Sequence, residues 1–325
     1  LAARRKSWLS HDRTSATGHA VKFVLNSARF LNRHEGRSMC DDDIHQGLVH
    51  DPSVSRRTFG LMTAAFTGAA ATAHAQAAVV EKDVEVKTAD GAADAALFYP
   101  QGKGSWPAVV LWPDVMSLRP VFREMGRRLA AAGYVVLVPN LYYRAKRAPV
   151  IEGAFNFANP DDRAKLTPLR ATVTPEGTDR DAAAYVAFLD AQPQTNKARK
   201  IGTQGYCMGG PLAFRTAAIA PGRVGAVASF HGGGLVTDQP TSPHLLIPKT
   251  SAAYLVAVAD NDDKQDPTVK DKLKAAFAAA KRPATVEVYE GAAHGWTVKG
   301  SQVYDEPAAE KAWAELLALY KRALA

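Results

Sequence analysis

The sequence predicts an α/β domain, a mostly parallel central sheet with helices on both faces. Three observations lead there. From about residue 79, short apolar runs alternate with segments of helical period. Those runs are continuous in hydrophobicity rather than alternating, as strands covered on both faces are. A cysteine flanked by glycines, Cys207, falls where one run turns abruptly into a helix.

The elements follow in order. Residues 80–87 alternate apolar and charged positions, Asp90 and Gly91 supply a turn, and residues 95–99 return, which reads as an antiparallel hairpin at a sheet edge. Buried parallel strands are expected over 108–112, 134–138, 200–203, 224–230, 252–259 and 285–289. Helices are expected between and after them, over 121–132, 178–191, 208–220, 267–281 and 307–323. Residues 142–175, rich in Arg, Asn and Pro, read as one long irregular insertion, and such loops over the carboxyl edge of a sheet shape binding sites.

The chain has 325 residues and 47% hydrophobic content, enough for a full core. Its first 75 residues do not read as fold. Arg56 and Arg57 open a twin-arginine pattern, a weakly apolar Ala/Thr/Gly run follows, and Ala73 and Ala75 supply the small residues of a cleavage site. The expectation is export to the periplasm or outside the cell. The run at 61–73 is too short and too poor in Leu and Ile to span a bilayer. Residues 1–38 carry eight basic against two acidic side chains and read as a non-native or disordered leader; residues 39–75 form the signal region, and 76–325 a single domain.

The formal net charge of +8 therefore falls to +4 over residues 76–325, which hold 30 basic and 26 acidic residues. That excess gives no footing for nucleic-acid binding. After signal cleavage no membrane contact is expected, and the protein should be a monomer or weak homo-oligomer. Cys40 lies in the signal region, so Cys207 is the lone thiol of the domain, and in an oxidising compartment such a thiol is either buried or used.

Gly205, Gly209 and Gly210 surround Cys207 at the spacing of a nucleophile elbow, where strand and helix pass closely on either side of a strained central residue. A thiol there needs a base and a carboxylate to orient that base. The run at 252–259 ends in Asp260, Asn261, Asp262 and Asp263, and the run at 285–289 leads to His294. Nucleophile, acid and histidine thus follow in the chain order of the α/β-hydrolase fold, each just beyond a strand end. The acid is Asp262, with Asp263 as the alternative; Asp260 reads as a solvated turn residue. Thiolate is a good leaving group, which suits activated esters and lactones better than amides.

With these segments in view, residues 80–325 resemble the dienelactone hydrolase (carboxymethylenebutenolidase) family. The resemblance rests on the elbow at 205–210, the histidine loop at 289–296, and the segments at 111–116, 123–124, 133–134 and 139–144. It implies cleavage of enol-lactone or ester bonds in a small molecule without metal or organic cofactor. It further implies Cys207 as nucleophile, His294 as base and then acid, and an oxyanion hole made by the backbone N–H groups of Met208 and Val115. Arg144 falls where the family holds a substrate carboxylate, and Asp114 where it has a glutamate touching the resting thiol. Tyr142 and Trp296 complete the substrate-binding candidates. Asn140 stands where the family usually has aspartate, so the substrate is not inherited with the fold.

Overall fold

The computed structural model describes residues 78–325 and, as backbone, the short strand β1 (Val49–His50). The twin-arginine pattern and the cleavage site lie outside the described residues. The expected edge hairpin forms from β2 (Val79–Thr88) and β3 (Gly91–Pro100), closed at Asp90. Five-residue apolar runs give β4 (Ala108–Trp112) and β5 (Val135–Pro139), every residue of both buried. Then come β7 (Ile201–Tyr206), β8 (Val224–Phe230), β9 (Ala253–Ala259) and β10 (Ala284–Tyr289).

These eight strands form one sheet in the order β10-β9-β8-β7-β4-β5-β3-β2. Pairing is parallel from β10 to β5 and antiparallel at β5–β3 and β3–β2. The strand order reverses beside β4 and β7, so their carboxyl ends flank the crevice where open α/β sheets bind ligands.

Strand residues alternate between two cores. In β4, Val110 and Trp112 pack with α3 (Pro175–Ala191), α4 (Gly209–Ile219) and α6 (Thr268–Ala279) through Tyr185, Phe214 and Phe277. Val109 and Leu111 face α1 (Pro120–Ala131) and α7 (Glu306–Ala323) through Phe122, Leu129 and Leu316. Burial of side chains of this size stabilises by roughly 1.5–3 kcal/mol each before the entropy of ordering them is subtracted. Among the described residues, no helix is long and apolar enough to cross a membrane.

Two expectations need correction. The insertion is not irregular throughout: Phe155–Asn156 form β6, paired with β1, and Pro160–Arg170 form α2. Asn159 caps that helix by accepting from Asp161 N–H at 3.0 Å, with Pro160 in the first turn, a start signal hidden in a polar stretch. The acidic loop after β9 is also helical, a short α5 (Asp260–Gln265) with three aspartates in its first turn, where the helix dipole favours them.

Candidate active site

β7 delivers Cys207 into left-handed backbone, φ 51°, before α4 begins. Such a conformation costs of order 1–3 kcal/mol in a non-glycine residue and persists because its surroundings dictate it. Cys207 N–H donates to Phe230 O at 3.1 Å and Gly210 N–H to Cys207 O at 3.0 Å. The turn is so tight that a Cβ on Gly205 would lie 1.9 Å from Gly209 O, and one on Gly209 2.4 Å from Trp112 O. Glycine is therefore required at both positions. Cys207 is buried.

The turn after β4 lies against the elbow. Ser117 N–H donates to Asp114 O at 2.8 Å and Met116 N–H to Asp114 Oδ1 at 2.9 Å. Neither these bonds nor the Gly210–Cys207 bond uses the N–H groups of Val115 and Met208. Tyr142 steadies both residues: its hydroxyl donates to Val115 O at 2.8 Å and lies 3.8 Å from Met208 Sδ. Tyr142 is fully buried and supports this turn.

The acid and histidine loops are sewn together by three bonds. Asp260 N–H donates to Ala292 O at 2.9 Å, His294 N–H to Asn261 Oδ1 at 2.7 Å, and His294 Nδ1 bonds Asp262 Oδ2 at 2.7 Å. A carboxylate only accepts, so Nδ1 carries a proton and Nε2 is the basic nitrogen. Both side chains are buried. Asp263 does not reach the histidine; both its oxygens take Lys270 Nζ at 2.7 Å. Successive residues of a helix point about 100° apart, so only one of the two aspartates can face the loop. Asp260 bonds Lys264 one turn on.

Three candidates for substrate contact have partners within the protein. Asp114 is buried in a two-bond ion pair with Arg119, at 2.5 and 2.8 Å, the residue just before α1. Arg144 is committed to Asp181, Asp90 and the Gly177 carbonyl, and its guanidinium lies over the Tyr143 ring. Burial opposes that charge, but the bonds to Asp181 and Asp90 outweigh it and hold Arg144 protonated beyond its usual range. Trp296 has no exposed surface, stacking on Tyr289 with centroids 5.0 Å apart. Trp112 and Phe155 are likewise core.

Asn140 has a local reason. Its amide donates to Asp94 Oδ1 at 2.9 Å and to Lys146 O at 2.8 Å, while Oδ1 accepts from the Ser117 hydroxyl and Tyr142 N–H. An aspartate there would set two buried carboxylates together.

Two residues of the site escaped sequence reading. Asn261 lay in the acidic cluster with no signal to separate its role. His231 had one: it directly follows β8, the strand-end placement that singled out Cys207 and His294. It is buried, with φ 41°, and its ring meets His294 edge-on with centroids 4.8 Å apart.

The match of residues 93–324 to the dienelactone hydrolase family spans β3 to the end of α7. The chain belongs to that family. A carboxymethylenebutenolidase of Rhodococcus opacus is 25% identical over 228 residues, covering 68% of this chain and 83% of that one. The fold is similar to that of a dienelactone hydrolase-like promiscuous phosphotriesterase from metagenomic libraries, with TM-score 0.62 and 21% identity over 76% of this chain and all of the other. It is also similar to a dienelactone hydrolase of Anabaena variabilis, with TM-score 0.54 and 19% identity over 76% and 99% of the two chains. The protein is thus an α/β-hydrolase-fold enzyme acting on lactone or ester bonds of a small molecule. Among the described residues, no cluster of His, Cys, Asp and Glu is arranged to hold a metal ion.

Proposed function

We propose that the protein, exported by its twin-arginine signal and acting as the single domain 76–325, hydrolyses a small ester or lactone through a covalent acyl-cysteine. The observation that carries this reading is the short Asp262–His294 bond at the sheet edge where the strained elbow presents Cys207. Asp262 positions the imidazole, His294 Nε2 takes the thiol proton, and Sγ attacks the acyl carbon. The oxygen of the tetrahedral intermediate is held by the N–H groups of Val115 and Met208, donors of a kind worth roughly 3–4 kcal/mol each. As the C–O bond breaks, His294 returns the proton to the leaving oxygen. Water, deprotonated by His294, then cleaves the thioester, releasing the acid and restoring the thiol.

Phe155, Phe157 and Leu166 of the insertion form one small core with Val115 and Met116, and Met208 packs against it. The candidate carboxylate anchor, Arg144, is already neutralised by Asp90 and Asp181.

Turnover of p-nitrophenyl acetate by residues 76–325 tests the proposal. It is expected to vanish in Cys207→Ala and to survive weakly, if at all, in Cys207→Ser. A single burst without turnover would instead mean a merely reactive thiol.

A further inference from the structure

A small internal cavity of about 20 Å³ lies behind the catalytic edge, between β9 and the start of α6. Its walls include Leu235, Val256 and Val269, but three polar residues interrupt them: His231, Asp262 and Asp266. Asp262 gives Oδ2 to His294. Its Oδ1 is buried and has no hydrogen-bond partner among the described residues. A buried carboxylate oxygen left this way is strongly disfavoured unless something donates to it. A cavity of this size, next to polar groups, fits one water molecule.

His231 connects the same cavity to the histidine loop. Its Nε2 bonds Thr297 Oγ1 at 2.8 Å, three residues beyond His294, and its ring stands edge-on to both His294 and Trp296, at 4.8 and 5.0 Å. His231 has left-handed backbone, uncommon in a non-glycine residue, and its N–H donates to Ala257 O at 2.8 Å in β9. Packing alone would be met by any flat ring.

We propose that the cavity is a water site in which one molecule donates to Asp262 Oδ1, and that His231, its Nε2 held by Thr297 and its ring edge-on to His294, is a positioning residue for the Asp262–His294 pair. His231 touches no reacting atom. It acts through its ring on His294, fixing the direction in which His294 Nε2 points, while the water holds the Asp262 carboxylate. The proposal rests on the triad reading above.

Crystallography and kinetics together test it. A crystal structure at about 1.5 Å resolution should show a density peak in the cavity within about 3.2 Å of Asp262 Oδ1. His231→Phe keeps a ring against His294 and Trp296 but removes both nitrogens. With p-nitrophenyl acetate it should lower kcat roughly tenfold or more while KM stays within about twofold, and His231→Gln should recover part of the loss. Thr297→Val, which removes the anchoring hydroxyl at constant shape, should lower kcat in the same direction; it decides the matter if His231→Phe fails to unfold cooperatively by circular dichroism. An empty cavity, or wild-type kcat in the folded His231→Phe or in Thr297→Val, would overturn the proposal with the triad intact. Full turnover by Cys207→Ala would overturn the triad reading itself, and the density measurement needs no activity, so the two failures are distinguishable.

Discussion

At the scale of single residues, direction decides more than residue type. Asp262 and Asp263 are adjacent carboxylates on one helical turn, yet one bonds His294 and the other Lys270. Asp262→Asn keeps the shape but offers Nδ1 an amide in place of a carboxylate, so the imidazole can sit in the wrong tautomer. A fall in kcat of about 10²–10⁴-fold is expected, measured by steady-state hydrolysis of p-nitrophenyl acetate. Asp263→Asn loses only a partly exposed ion pair, of order 1 kcal/mol or less, and should leave kcat within about twofold. Gly205→Ala is a harsher change. Its Cβ would meet backbone of α4 at 1.9 Å, which no side-chain adjustment relieves, so the variant should not yield folded soluble protein.

At the scale of elements, the cluster around Arg144 joins the β2–β3 turn to α3, since Asp90 sits in that turn and Asp181 in the helix. Removing the guanidinium strands a buried carboxylate at Asp181, and Arg144→Ala should destabilise by about 3 kcal/mol in urea unfolding. Because the role is structural, kcat/KM for anionic and neutral esters of equal size should fall together. Asp90 gives this cluster a pH signature. Hydrogen bonds from Arg180 and then Arg144 hold its carboxyl below the usual 3.8. A folded value below the unfolded one means stabilisation that is complete above about pH 4–5 and is lost as pH falls through the folded value. The difference in urea midpoint between wild type and Asp90→Asn should therefore shrink as pH drops from about 6 to about 3.

At the scale of the whole molecule, the strand-to-helix alternation was legible because continuous apolar runs have few alternatives once glycine and proline bound them. The edge hairpin, the six parallel strands and the elbow stand where residue pattern put them, and so does the meeting of Asp262 with His294. The two helices missing from the expectation, α2 and α5, are polar; their signals were caps and dipoles rather than a hydrophobic period. The substrate-binding candidates fared differently because partners distant in sequence decide a polar side chain's fate. Nothing near Arg144 announces Asp181, 37 residues on, and Tyr142 reaches Val115 from 27 residues away.

The strained elbow before α4 matters to catalysis only if Cys207 Sγ forms a bond to the acyl carbon. Intact-protein and peptide mass spectrometry after acid quench of p-nitrophenyl acetate turnover tests this most directly. The account predicts the mass of one added acetyl group, located on the peptide containing Cys207 and absent from Cys207→Ala. Steady turnover with no adduct at Cys207, or turnover undiminished in Cys207→Ala, would contradict it.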